Sequence, residues 1–158
     1  MRRARRGPRP PYDVPDVTMT RAEMDALVDR HFRFEAEDDV DGVVSTLAEG
    51  AVHEVVPSPF GETDDPAQQR AYYELLFSSI KGESVEPLRR YYGDGFLVDE
   101  SLWHGRIEDG RPFLCDRRSG DVSFRLLHVF EFRDRKISRE QVWCDLAAIQ
   151  RQLGVSAG

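Results

Sequence analysis

Two alternating segments near the C-terminus constrain the fold more than any other feature of the sequence. In "VSFRLLHVFEF", residues 122–132, apolar and polar side chains alternate with a period of two, the pattern of a β-strand with one buried face. Asp134 and Arg135 separate this segment from a second β-like run over 136–145, and a connection of two residues is short enough for a hairpin turn. One histidine, His128, lies among the apolar residues of the first segment. The sequence therefore predicts an antiparallel hairpin that carries an imidazole toward the core.

The rest of the chain has helical patterns followed by strand patterns. Thr20-Arg21-Ala22-Glu23 is a capping box and predicts a helix to about Glu37. A second, shorter helix is predicted to end at Gly50, and a third to open at Asp65-Pro66. The remaining elements are a strand over 51–56, four strands over 83–92, 95–106, 121–133 and 136–145, and a closing helix over 146–153. Helices followed by antiparallel strands are typical of an α+β fold.

Charge limits the partners that the chain can bind. Its net charge is −7, but five arginines lie in the first eleven residues, so the remaining residues carry a net charge of −12. A body this acidic repels phosphate backbones and anionic membranes, so we expect neither nucleic acid nor a membrane as a partner. The Arg/Pro-rich segment 1–19 has the composition of a flexible tail. We expect one domain over 20–158.

The cysteine content indicates the cellular compartment, and the absence of common motifs excludes several classes of enzyme. The two cysteines, Cys115 and Cys144, have no CxxC spacing, which favours a reduced, cytoplasmic environment. No apolar run approaches the length that a membrane span requires. The dinucleotide, P-loop, zincin and nucleophile-elbow motifs are also missing. These observations favour a small-molecule protein that uses no cofactor.

The order of elements, and above all "VSFRLLHVFEFRDRKISREQVWCDLAAIQRQLG", resembles the nuclear transport factor 2-like superfamily and its SnoaL-like branch of polyketide cyclases. The resemblance covers residues 20–154. It implies a cone-shaped, strongly curved, mostly antiparallel sheet with N-terminal helices covering an apolar cavity, and a homodimer formed through the convex face. The superfamily contains isomerases, dehydratases, cyclases, epoxide hydrolases and non-enzymes, so the fold does not by itself give the reaction.

The resemblance also assigns positions at which related enzymes carry their acid–base groups. By comparison with ketosteroid isomerases, His31 takes the position of a tyrosine, Val55 that of the general base, and His128 that of a second acid. By comparison with SnoaL-like cyclases, His128 is kept, but Val142 takes the place of an aspartate. Valine at both acid–base positions means that any chemistry must use another set of residues.

The candidate catalytic residues are His128, His31 and Asp145. His128 would be the general acid or base, His31 its hydrogen-bonding partner or oxyanion donor, and Asp145 or Gln141 an orienting group. A regular hairpin places Gln141 opposite His128 and Trp143 opposite Leu126, whereas a bulge would bring Glu140 or Cys144 inward instead. The substrate-binding candidates are Phe124, Phe130, Trp143, Gln141, Trp103, Tyr72 and His53, although core packing accounts for the aromatic members equally well.

Two functions stay open at this stage. The first is an isomerase, dehydratase or cyclase that moves protons on a small apolar, polyketide- or terpenoid-like substrate without a cofactor. The alternative is a non-catalytic ligand-binding or dimerisation module of the same fold. The four histidines lack the close spacing of a local metal site, so no metal is expected, although side chains from different cavity walls could still converge on one.

Overall fold

A computed structural model of the chain describes residues 19–155. In this part of the chain, four helices and five strands follow one another in the order α1 (Arg21–Ala36), α2 (Val40–Ser45), β1 (Leu47–Val56), α3 (Pro66–Ser79), β2 (Ile80–Gly93), β3 (Phe96–Ile107), β4 (Gly120–Arg133), β5 (Lys136–Cys144) and α4 (Leu146–Gln152). A short 3₁₀ helix, Arg111–Phe113, lies in the loop between β3 and β4. The flexible tail predicted for residues 1–19 falls almost wholly outside the described residues; Met19 itself is buried in the core.

All five strands form one curved sheet with the order β1-β5-β4-β3-β2. The neighbours β2–β3, β3–β4 and β4–β5 are antiparallel, whereas β1 is parallel to β5. The predicted α+β class and mostly antiparallel sheet are confirmed. The hairpin is confirmed as well: Asp134 and Arg135 both adopt the positive φ angles, 53° and 59°, that a tight two-residue turn requires.

Side-chain caps determine where the helices begin. The capping box at the start of α1 is present, with the Thr20 hydroxyl accepting the Glu23 N–H and the Glu23 carboxylate accepting the Thr20 N–H. Asp65 caps α3 by accepting the Ala67 N–H. One prediction here is wrong: Gly50 does not end α2, which stops at Ser45, but lies inside β1 with φ of +66° at a break in the strand register.

The core fills the space between the helices and the concave face of the sheet. Residues of α1, β3, β4 and β5 form one apolar cluster, which includes Leu27, Leu97 and Phe130. Helix α3 buries Tyr73 and Phe77, which form a second cluster with Val43. Of the helices described, none is both long and apolar enough to cross a bilayer.

Candidate functional site

His31 lies on the buried face of α1 and is 0% exposed. Its Nδ1 is 2.7 Å from the hydroxyl oxygen of Thr46, and that hydroxyl donates its own proton to the Val43 carbonyl at 2.6 Å. The Thr46 oxygen must therefore accept, and His31 Nδ1 must carry a proton. The other ring nitrogen, Nε2, faces the Glu140 carboxylate at 3.3 Å. The Thr46 hydroxyl, at the end of α2, thus orients His31 toward Glu140.

Glu140 is 1% exposed and forms a buried ion pair with His31. Burial opposes a charge on His31, but the attraction of Glu140 and hydrogen bonds to Glu140 and Glu35 outweigh it and raise the pKa of His31 to about 10. Burial opposes the charge on Glu140 too, but attraction by His31 keeps the pKa of this carboxyl below its ordinary value. The second Glu140 oxygen accepts the Tyr73 hydroxyl proton at 2.5 Å. Both charges therefore have partners.

A β-bulge places Glu140 inside the fold. The turn-proximal pairs of the hairpin follow the predicted register, but Ser138 is an extra residue in β5. Beyond it, every β5 residue pairs one position later than predicted, so His128 is opposite Val142 and not Gln141. Of the two registers that the sequence left open, the regular one does not form for this reason. The bulge alternative, in which Glu140 turns inward, is the one that the structure adopts.

His128 points to the core but is packed between phenylalanines. It is 5% exposed, its ring stacks on Phe130 at 5.5 Å, and the edge of Phe32 contacts it at a centroid distance of 5.0 Å. The same two phenylalanine rings lie 6.1 Å and 5.8 Å from the ring of His31. The space between His31 and His128 is therefore filled by aromatic side chains. Within residues 19–155, the buried His128 Nδ1 has no hydrogen-bond partner.

A cavity of about 280 Å³ lies elsewhere, between β1, the loop that follows it and α3. The loop is held against β1 by paired backbone hydrogen bonds between His53 and Thr63 and by Gln69, whose amide donates to the carbonyls of Ala51 and Thr63. Neither His31 nor His128 is on the wall of this cavity. The wall consists of His53, Val55, Ser58, Phe60, Gly61, Thr63, Gln68, Ala71, Tyr72 and Leu75.

His53 is the one titratable imidazole on that wall. Burial lowers its pKa, although Glu140 and Glu35 act in the opposite direction, so the ring is neutral at neutral pH. Its Nε2 is buried and has no hydrogen-bond partner in the described part of the chain. The ring lies 4.6 Å from Tyr72 and 5.3 Å from Tyr73, and His53 is the ladder partner of Glu140. A neutral imidazole in this setting can accept a proton from a molecule in the cavity.

Three predicted residues near the end of β5 neither line the cavity nor take part in the buried ion pair. Asp145 is exposed and caps α4, accepting the Ala148 N–H at 2.9 Å. Gln141 donates to the Glu54 carboxylate at 2.6 Å. Trp143 pairs with Leu127 instead of Leu126, and its side chain is 46% exposed.

The remaining predicted aromatics are core residues. Trp103 and Phe124 are ladder partners, and their rings lie 5.2 Å apart in a cluster that packs against α4. Phe130 is fully buried beside His128. His104 is on the opposite face from Trp103, where its Nδ1 is 2.7 Å from the Ser123 hydroxyl. Of the predicted substrate-binding residues, Tyr72 and His53 are the two on the cavity wall.

Sequence reasoning missed Glu35 and Tyr73, and it included Glu140 only as the bulge alternative. Glu35 is four residues after His31, so the two side chains share a helix face, and this spacing was a usable signal. Tyr73 and Glu140 come together from α3 and β5, 67 residues apart in the chain. Nothing in the local sequence pattern indicates that contact.

Comparison with known proteins places the chain among SnoaL-like proteins. A family model described as a SnoaL-like domain matches residues 28–140, and no curated protein sequence matches significantly. Among solved structures, a protein assigned as a SnoaL-like polyketide cyclase from Jannaschia sp. CCS1 is 16% identical, with a TM-score of 0.72 over 86% of this chain and 94% of that one. TsrD from Streptomyces laurentii is 20% identical, with a TM-score of 0.67 over 87% and 99%. An LEH-like epoxide hydrolase from M. tuberculosis is 18% identical, with a TM-score of 0.63 over 84% and 90%.

Proposed function

The chain belongs to the SnoaL-like domain family, and on that premise we propose that it is an enzyme that transfers protons on a small, apolar molecule bound in the cavity beside His53. The solved structures of similar fold carry names that include cyclase, isomerase, hydroxylase and epoxide hydrolase, which supports small-molecule chemistry without selecting one reaction. The reaction class that fits the residues is isomerisation, dehydration or cyclisation by general acid–base catalysis.

One observation carries this proposal. Val55 and Val142, the two positions at which the resemblance places acid–base groups, are partners in the β1–β5 ladder. Two residues earlier on both strands, the partners are His53 and Glu140. Because side chains alternate along a strand, this pair is on the same face of the sheet as the two valines. A titratable pair, His53 and Glu140, is therefore present two residues before the two valines on the same face of the sheet.

The roles of the two residues follow from their surroundings. His53, neutral and on the cavity wall, takes a proton from a carbon that a neighbouring carbonyl makes acidic, and returns it at another position of the substrate. The Glu140 carboxylate stabilises the imidazolium that forms in between. The His31 ion pair and the Tyr73 hydroxyl hold Glu140 in place. Glu140 is thus a positioning and electrostatic residue, since it does not line the cavity.

The cavity also indicates the kind of substrate. Its wall is mainly apolar and aromatic, with the rings of Phe60 and Tyr72 in edge contact, and no carboxylate, lysine or arginine is among its lining residues. A volume of about 280 Å³ is just below the usual range for small-molecule sites. We therefore expect a neutral, compact molecule with one activated C–H group.

Hydrogen–deuterium exchange tests the proton transfer itself, whatever product the reaction forms. Neutral cyclic ketones would be incubated with the protein in D₂O, and loss of the α-proton signal followed by NMR. For a ketone that the protein binds, His53→Gln should slow exchange by roughly 10²- to 10⁴-fold. His104→Gln, which changes a histidine on the outer face, is the matched control and should exchange as the wild type does. Undiminished exchange in His53→Gln would refute the proposed role.

A non-catalytic ligand-binding module is the second candidate function. It is favoured by the aromatic packing around His128 and by the complete pairing of His31 and Glu140, both of which are compatible with a structural role. In that case the wild type would bind ketones, detected as a rise in melting temperature, and none would exchange. His53→Gln would then change affinity alone.

A further inference from the structure

We propose that His31, Glu35 and Glu140 form a binding site for one first-row divalent cation, of which Zn²⁺ is the probe. One donor atom from each residue lies within 4.8 Å of the other two, from α1 and β5. The Nε2 of His31 is 3.3 Å from Glu140 Oε1 and 3.6 Å from Glu35 Oε1. Imidazole and carboxylate groups together suit Zn²⁺ and neighbouring transition metals.

The hydrogen bonds around these residues are those that a metal site requires in its outer shell. His31 donates from Nδ1 to Thr46, which leaves Nε2 as the atom directed at the two carboxylates. The Tyr73 hydroxyl fixes the second oxygen of Glu140. Partners of this kind orient metal ligands and set the histidine tautomer.

Charge balance also favours a cation at this position. His31 faces two carboxylates, the buried Glu140 and the partly exposed Glu35, so acidic groups outnumber basic ones in the cluster. A divalent cation bound by neutral His31 and two carboxylates has no net charge. Glu35 is 22% exposed, so the site has an access route from solvent.

An unpartnered imidazole nitrogen beside the cluster is a separate observation. His53, which is 4% exposed, is the ladder partner of Glu140, and its ring contacts the Tyr73 ring whose hydroxyl binds Glu140. Its Nε2 is buried without a hydrogen-bond partner among the described residues. Buried polar atoms are almost always satisfied, and a water molecule beside this nitrogen would supply the missing partner. A cation with three protein ligands keeps a position for water.

Calorimetry and thermal unfolding test whether the chain binds one cation. Zn²⁺ binding, measured by isothermal titration calorimetry on the full chain, should correspond to one site per chain. At Zn²⁺ concentrations 100-fold above the dissociation constant, the melting temperature should rise by roughly 5–10 °C.

Two matched variants locate the site. Glu35→Gln, at a half-buried position, should weaken Zn²⁺ binding by roughly 10- to 100-fold and retain the fold. Glu37→Gln makes the same charge change at an exposed position two residues later and should bind as the wild type does. Circular dichroism checks that both variants fold, and NMR of the His31 ring nitrogens should show a Zn²⁺-dependent shift at Nε2.

Three results would overturn the proposal. Absence of stoichiometric Zn²⁺ binding would remove it outright. Equal affinity in Glu35→Gln and the wild type would assign the Zn²⁺ to the acidic surface. An unchanged His31 Nε2 resonance in the presence of saturating Zn²⁺ would show that this ring is no ligand.

Discussion

Replacing Glu140 with glutamine should remove the stabilising effect of its buried ion pair with His31. The amide side chain of this variant would keep an acceptor for the Tyr73 hydroxyl but would lose the charge that pairs with His31. Raising the pKa of His31 from 6.5 to about 10 corresponds to about 4 kcal/mol at pH 7 by proton linkage. Breaking a buried ion pair from one side typically costs about 3–5 kcal/mol, so the two approaches agree.

The sign of the pH dependence follows from the direction of this shift. A group whose pKa is raised on folding stabilises the protein fully below its unfolded value, here 6.5, and the contribution disappears as pH rises through about 10. The advantage of the wild type over Glu140→Gln should therefore fall from about 4 kcal/mol at pH 7 to about 1 kcal/mol at pH 9. On the acid side, the same pair is lost as protonation of Glu140 begins below its ordinary value of 4.5.

Urea unfolding at pH 7, 8 and 9 measures these differences, since the free energy of unfolding can be compared at each pH. Glu37→Gln is the control, because it removes an exposed carboxylate from the end of the same helix as His31. Comparing variants cancels the titration of cysteines and tyrosines common to all. A difference between Glu140→Gln and the wild type that stays constant from pH 7 to pH 9 would refute the assignment of a charged His31.

Three further substitutions test separate features. Gly105→Ala would bring a Cβ within 2.3 Å of the Lys81 carbonyl oxygen and 2.5 Å of the Trp103 ring, so it should lower the free energy of unfolding in urea by about 1–3 kcal/mol. Gly82→Ala is its control because the nearest atom there is at 3.5 Å, and equal effects of the two substitutions would contradict the geometry. Asp145→Ala should lower the free energy of unfolding by about 1 kcal/mol because it removes the α4 cap, whereas Asp145→Asn should leave it unchanged. Loss of hydrogen–deuterium exchange of the ketone in either variant would return Asp145 to the catalytic residues. His128→Phe should leave the melting temperature unchanged or raise it, because it removes an unpartnered buried nitrogen next to two phenylalanines. A marked fall in melting temperature would show that Nδ1 has a partner such as water.

Local signals in the sequence were sufficient for most of the fold. The capping box at Thr20, the Asp65-Pro66 helix start and the turn at Asp134 and Arg135 each depend on a few adjacent residues, and all three are where they were predicted. The errors are at places where distant contacts decide. Gly50 has the composition of a helix terminator, but the chain pairs with β5 there and takes the glycine into a strand irregularity.

The candidate site was less predictable because its geometry depends on a single extra residue. Ser138 shifts the pairing of β5 by one position, which replaces Gln141 by Val142 opposite His128. Strand periodicity correctly assigned His128 to the core face. It could not show that Phe32, from α1, fills the space beside His128, because neither the helical nor the strand periodicity indicates how a helix packs on a sheet.

In the proposed function, the relation between the cavity and the buried charges accounts for valine at both positions to which the resemblance assigns acid–base groups. Val55 is on the cavity wall, and His53 precedes it on the same face of β1. Because β1 runs parallel to β5, moving the titratable group back by two residues brings it beside Glu140. Burial keeps the resting imidazole neutral, and the adjacent carboxylate limits the cost of protonating it. In the proposed function, an imidazole so placed takes the part of a carboxylate base, because the strand face, the cavity and a balancing charge are all retained.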